Sequence, residues 1–291
     1  MKTMRGQSLL SSAFLLPYGT SFVVFIVFPI IFAASLAFTQ LDLTSREHFH
    51  FIGFENFREA LKDPYVTQAA QVSCTYALMI VPAFVVLAFG LALGLQAMAF
   101  GRNAVRGLIF LPGMFNVVVA SIVWRWFYDD NFGFFNYLLK KAGLTPVHWL
   151  SEKSVALPSI AAMSLWWGLG GATIILLAAL QQVPQYLYEA AMLDGATGRK
   201  ILSRITIPQM RPVLLFIVVT STIGAFQVFG QTFMMTNGGP ERSTTALVQV
   251  IYETAFNKYR LGYAASISWI LFGMIMLVVI VQFFVLRRSV D

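Results

Sequence analysis

Residues 189 to 208 read EAAMLDGATGRKILSRITIP, a run rich in charge and in glycine and proline breakers, set between two long apolar stretches at roughly 157–180 and 212–236. Each neighbour is long enough to cross a hydrocarbon core about 30 Å thick, which takes about 20 apolar residues. A polar, amphipathic connector between two such runs belongs in water, on one face of a membrane. The rest of the chain then parses as apolar spans joined by loops that alternate between the two faces.

Composition agrees with that parse. Of 291 residues, 58% are hydrophobic and 11% charged, with a mean hydropathy of +0.72; soluble domains hold roughly 45–50% apolar residues. Six runs are long enough to span, at about 13–38, 69–97, 107–127, 157–180, 212–236 and 263–286. The expected fold is all-α: a polytopic membrane protein of six transmembrane helices forming a single domain over residues 1–291. The first run follows Met1-Lys2-Thr3-Met4-Arg5 as a signal peptide would. It extends past the ~7–15 apolar residues of such signals and reads as a retained span. Cys74, the only cysteine, sits in an apolar run and reads as a core residue, so neither a disulfide framework nor a Cys/His metal cluster is expected.

Charge chooses the sides. With six spans both termini share a face, and placing them inside gives the inner segments Lys2, Arg5, Arg102, Arg106, Arg199, Lys200, Arg204, Arg211, Arg287 and Arg288 against only Glu189, Asp194 and Asp291. The outer loops carry nine basic residues against ten acidic ones. Short positive loops belong to the cytoplasm, so both termini and residues 189 to 208 are expected there. The net charge of +7 is thereby assigned to membrane orientation, and no nucleic-acid partner is expected. Two outer stretches, FIGFENFREAL (51–61) and NFGFFNYLLKKAGL (131–144), mix aromatic and charged residues at helical spacing and suit the membrane surface. Trp124, Trp126 and Trp149 fit an aromatic belt at the outer boundary, beside Arg125, which either snorkels to headgroups or pairs with Asp129 or Asp130.

Much chemistry is missing. GATGRK (195–200) has neither the spacing nor the preceding strand of a phosphate loop. No span contains Asp, Glu or His, and His48, His50 and His148 all fall in outer loops. Carriers driven by ion gradients keep such groups at membrane depth, so a secondary transporter is disfavoured, as is an enzyme with acid–base or metal chemistry. No catalytic residue and no metal ligand is assigned.

The connector itself reads as two short helices. Pro184 opens the first, Gln185–Leu193, which Asp194-Gly195 breaks; the second runs from about Gly198 to Ile205, with Ile201, Leu202 and Ile205 on one face and Arg199, Lys200 and Arg204 on the other. Pro208 and Pro212 are expected to end it and let the fifth span start. Glu189-Ala190-Ala191, three residues, Gly195, nine residues, then Ile205-Thr206-Ile207-Pro208 resembles the EAA loop, EAA-x3-G-x9-I-x-L-P, of the membrane subunits of binding-protein-dependent ABC importers. Ile207 replaces the usual leucine. IGFENFREALKD (52–63), FLPGMFNVVVASIVWRWFYDDNFGFFN (110–136) and MTNGGPERSTTALVQVIYETAF (235–256) look like the carbohydrate-uptake group, which includes maltose-type and glycerol-phosphate-type permeases.

That resemblance implies a permease subunit in a bacterial or archaeal cytoplasmic (inner) membrane. It implies a second homologous permease, a dimer of ATP-binding subunits and an extracytoplasmic solute-binding protein as partners, with ATP and Mg held by the ATPase and no cofactor in this chain. Residues 184–208 would form coupling helices seated in the ATPase, with Glu189, Ala190, Ala191, Asp194, Gly195, Ile205 and Pro208 carrying the contact and its turn. The cargo it implies is a sugar or oligosaccharide, with glycerol phosphate or another polar metabolite as the alternative. Aromatic rings stack on sugar faces and amides match hydroxyls, which singles out Asn116, Trp166, Trp167, Gln227 and Gln231 in the spans; the last two, four apart, are expected on one helical face. Interhelical hydrogen bonding accounts for intramembrane amides equally well. The turn Asn237-Gly238-Gly239-Pro240 resembles the loop that meets the binding protein.

Overall fold

A computed structural model describes residues 15–42 and 50–288, with side chains as far as residue 285. Residues 13 and 14 of the first expected span, Lys2, Arg5, Arg46, His48 and Asp291 lie outside the described residues. Twelve helices and one short ribbon are described: α1 Leu15–Ala37, β1 Thr39–Gln40, β2 His50–Phe51, α2 Glu55–Lys62, α3 Pro64–Ala97, α4 Arg102–Phe110, α5 Val117–Phe127, α6 Phe134–Lys141, α7 Lys153–Gln182, α8 Gln185–Leu193, α9 Gly198–Phe226, α10 Gly230–Thr236, α11 Leu247–Tyr252 and α12 Leu261–Arg288. The fold is all-α in the sense expected. Five helices among the described residues, α1, α3, α7, α9 and α12, are long and apolar enough to cross a membrane, and α4 and α5, bent by 99° to each other, meet the same length and hydropathy only when counted together as one span.

Two expected spans are interrupted. The third breaks at Phe115–Asn116, where a 3-10 turn over Leu111–Met114 contains Pro112 and the Asn116 side chain accepts the Val118 N–H (2.9 Å) to cap α5. The fifth ends at Phe226 instead of residue 236, and Phe229 leaves helical geometry before α10 begins. Gln227 and Gln231 therefore lie on different segments and do not share one helical face. Pro208 and Pro212 also do not end the connector's second helix, which runs unbroken into α9. A π turn at Leu202–Thr206, where the Ile207 N–H reaches back to the Leu202 carbonyl, widens the helix just where the Pro208 ring must be accommodated.

The described residues group into two compact units, drawn from Met1–Val66 with Ile251–Ile270 and from Thr67–Val250 with Leu271–Asp291. In the first, β1 pairs antiparallel with β2, and the buried Asn56 amide of α2 donates to the Ala37 and Thr39 carbonyls (3.0 and 2.9 Å). A Cβ on Gly262 would collide with the Thr39 carbonyl, so only glycine lets the start of α12 approach the ribbon. Arg260 grips both carboxylate oxygens of Glu59 (2.8 Å each) and lies 4.4 Å above the Tyr263 ring, whose hydroxyl donates to Asp63 (2.9 Å). The Glu59 hydrogen bonds hold the Arg260 guanidinium above even its ordinary pKa. Helix α1 packs little: 6% of its apolar window is buried.

The second unit is built on a core of Ala88, Ala92 and Leu95 from α3, Leu176, Leu177 and Leu180 from α7, and Met210 and Ile217 from α9. Alanines here, with Gly170 against the Ile109 carbonyl, let backbones come close, as membrane helices require where lipid is as apolar as leucine. Outside the spans, Asn136 of α6 is 1% exposed and ties together the segments before and after its helix with four hydrogen bonds: its amide nitrogen to the Asp130 and Val147 carbonyls, its oxygen from the Val147 N–H and the Trp149 indole. Asn136→Ala leaves those groups without partners and should lower stability by about 2–4 kcal/mol; thermal unfolding of the purified chain in lipid measures this, and an unchanged midpoint would contradict the assignment.

Candidate functional site

Two regions collect the residues singled out in the sequence. The first is the connector. Helix α8 buries none of its residues, and Tyr186, Met192 and Leu193 are 66%, 59% and 90% exposed. Its C-terminus closes with two reversed hydrogen bonds, the Gly195 N–H to the Met192 carbonyl (3.0 Å) and the Ala196 N–H to the Ala191 carbonyl (2.9 Å). This is a Schellman motif, and it requires a left-handed residue at the position after the cap. Gly195 supplies it, at φ +71°, with nothing within 4 Å of where a Cβ would sit. The spacing from Glu189 to Gly195 is therefore that of the last helical turns to their glycine stop. Glu189, Ala190 and Asp194 are exposed, while Ala191, Ile205 and Pro208 are half-buried. The Tyr188 hydroxyl meets that of buried Thr206 (3.4 Å) and ties α8 back to the π turn.

The second is a cavity of about 190 Å³ between α3, α7 and the interrupted end of the fifth span. Tyr76, Ser164, Trp167, Ser221 and Gln231 supply its polar and aromatic walls, and Phe84 faces it as well. Apart from the Tyr76 phenol, none of the lining residues is ionisable. The Ser164 and Ser221 hydroxyls donate to the Ile160 and Val218 carbonyls of their own helices (2.9 and 3.0 Å); the Ser164 oxygen is also hydrogen-bonded to the Tyr76 phenol, and Ser221 keeps its oxygen as an acceptor. The Trp167 indole N–H donates to the Phe115 carbonyl at the bend of the third passage (2.9 Å), so Trp167 offers the cavity a ring face and not a donor.

Of the five span residues expected on a path, Trp167 and Gln231 line this cavity and three do not. Asn116 is occupied as a helix cap, Trp166 packs its ring 5.4 Å from Trp124, and Gln227 is an exposed cap residue beyond α9. Tyr76, Ser164 and Ser221, which the sequence does not single out, line the cavity as well. Each is a lone polar group in an apolar run, a detectable signal, but which face of its helix points inward depends on packing. Arg125 is exposed on α5, away from the cavity lining.

A third feature is the turn after α10. Asn237, Gly238, Glu241 and Arg242 all have positive φ, at 49°, 85°, 47° and 60°. Such left-handed positions are strained in non-glycine residues and need support from their surroundings. Thr244 shares a 2.6 Å hydrogen bond with Thr236 and donates to the Gly239 carbonyl, while the Glu241 carbonyl accepts from Gln68 (3.3 Å) and its carboxylate meets Lys153 (3.4 Å). Asn237 is exposed; Gly238 is buried, and a side chain there would strike the Thr245 hydroxyl.

Known proteins resemble this arrangement over nearly its full length. The sulfoquinovosyl glycerol transport system permease protein of Agrobacterium fabrum is 30% identical over 98% of this chain and 92% of that protein. The trehalose/maltose transport system permease protein of Thermococcus litoralis is 31% identical over 85% of this chain and 82% of that one. In fold, the chain is similar to one in a bacterial alginate ABC transporter crystallised with an alginate pentasaccharide-bound periplasmic protein, with a TM-score of 0.85 over 100% of this chain and 98% of that one at 22% identity. The family described as the binding-protein-dependent transport system inner membrane component matches residues 66–291. With its long apolar helices, its bent third passage and its exposed connector, this chain belongs to that family: it is a multi-pass membrane subunit of a transport system and not an enzyme.

Proposed function

We propose that this chain is one of two permease subunits of an ATP-driven ABC importer and forms half of the pathway for a neutral sugar or oligosaccharide. The carrying observation is the cavity, where Trp167, Tyr76 and Phe84 offer ring surfaces and Ser164, Ser221 and Gln231 offer hydroxyls and an amide, without a fixed charge. Those are the groups that recognise a polyhydroxylated, uncharged ring. The names of the relatives from Agrobacterium fabrum and Thermococcus litoralis support a sugar cargo. Glycerol phosphate or a sulfonated sugar would call for a cation near the anionic group, which the second permease would have to supply.

In this reading the positive connector is cytoplasmic and α8 with the start of α9 is the coupling element. Helix α8 presents Met192, Leu193 and Glu189 to a separate ATPase, which binds ATP and Mg, and α9 carries the movement unbroken from Gly198 to the cavity wall at Ser221. The exposed α1 suits contact with lipid and the second permease. On the outer side, the supported turn at Asn237–Pro240 meets the solute-binding protein, with Asn237 as its exposed residue. ATP-driven closure of the partners then alternates access to the cavity between the two faces.

Three measurements test these roles. Gly195→Val puts a β-branched side chain at φ +71°, costing about 1–2 kcal/mol of the connector's geometry. Uptake by the reconstituted importer should then fall about five- to thirty-fold while the subunit inserts normally; unaltered uptake would count against coupling through this loop. Gln231→Leu removes a cavity amide and should slow maximal sugar uptake by about two- to ten-fold without changing basal ATP hydrolysis, whereas an unchanged rate removes Gln231 from the path. Replacing residues 236–240 with a neutral linker should abolish stimulation of ATP hydrolysis by the binding protein, and normal stimulation would reject that contact.

A further inference from the structure

Trp167 uses two parts of one side chain for two different contacts. Its ring walls the cavity, while its indole N–H is spent on the Phe115 carbonyl 2.9 Å away. Phe115 is extended, at φ −77° and ψ 144°, so its carbonyl stands outside the helical ladder, in a segment where water is scarce. Close packing holds the two arms that meet there. On the α4 side, a Cβ on Gly170 would strike the Ile109 carbonyl, and one on Gly113 would press the Trp167 carbonyl at 3.3 Å. On the α5 side, a Cβ on Gly230 would press the Val117 side chain at 3.0 Å, and Gly230 precedes Gln231 of the cavity wall. The Asn116 cap acts within the α5 arm, whereas the Trp167 bond crosses from the apex of the bend to another helix.

An indole tied at its N–H has its ring plane fixed relative to the group that holds it. The orientation in which Trp167 meets a cargo is therefore set by the backbone of the third passage, and the apex of that passage is held in turn by a wall of the cavity. We propose that Trp167 is a positioning residue for transport: the Phe115 carbonyl sets the face its ring presents to a sugar, the same bond holds the bend against α7, and the N–H gives the sugar nothing. That role rests on the sugar-cavity reading above for its cargo; the tie at the bend does not. Hydrogen bonds to the cargo then fall to the Gln231 amide and the Ser221 oxygen, while Trp167 contributes the stacking surface.

The test removes the N–H and little else. Trp167 is exchanged for 3-benzothienylalanine, whose fused ring carries sulfur where the indole carries N–H, and Trp167→Phe serves if the first variant does not insert. In the full chain in lipid nanodiscs, amide hydrogen exchange over residues 110–122 should rise about two- to ten-fold, the weight of one net hydrogen bond, while residues 157–182 exchange at their natural rate. In the assembled importer, with maltose and 2-deoxymaltose as probes, maximal uptake of both sugars should fall by the same factor, again about two- to ten-fold. Unchanged exchange at the bend, or a rise that spreads equally over residues 157–182, overturns the tie. A loss confined to maltose makes the N–H a donor to cargo and overturns the positioning role, as does natural uptake of both sugars by the variant. If the natural importer carries neither sugar, the cargo reading above fails, and exchange at the bend still decides whether Trp167 holds it.

Discussion

Inside a bilayer a backbone N–H or carbonyl that leaves its helix finds no water, and the described structure is organised around that constraint. Each interruption of a span is met by a specific partner. Trp167 takes the Phe115 carbonyl at the bend, Asn116 takes the Val118 N–H one residue on, and Thr232 donates to the Phe229 carbonyl at the break of the fifth span (3.0 Å). The interruptions are also where the cavity lies, since Val228 and Gln231 flank the second break and Trp167 spans to the first. Trp167 does both, taking up the broken backbone at the bend and walling the cavity.

The connector answers to a different constraint. Its first helix buries no residue, and its form is set locally by a helix stop, a left-handed glycine and a π turn that carries the chain through Pro208. A rigid helix with exposed Met192 and Leu193 presents apolar surface that a partner can cover. The unbroken α9 then joins this surface to the cavity wall. That continuity replaces the helix end expected at Pro208 and Pro212.

Membrane residence, helix number to within the bent passage, and the connector with its motif were legible in the residues. They depend on run length, composition and local spacing, which the chain carries without reference to its neighbours. The cavity was legible only in part. Trp167 and Gln231 announced themselves as polar or aromatic groups at depth, but so did Asn116, Trp166 and Gln227, which the structure uses for a cap, a ring contact and a helix end. Residue type did not separate these roles, because hydrogen bonding between membrane helices and the lining of a cavity draw on the same side chains.

By itself, then, the sequence determined that this is a helical membrane protein with a polar connector of two short helices, because hydrophobic length and the glycine stop act within a few turns. Tertiary structure alone decided that the third passage bends by 99°, that the fifth stops at Phe226, and that Tyr76, Ser164 and Ser221 join Trp167 and Gln231 around one space. Those outcomes depend on which helix faces meet. In a chain apolar on every side, only the packing of small residues and the pairing of stray polar groups selects the faces.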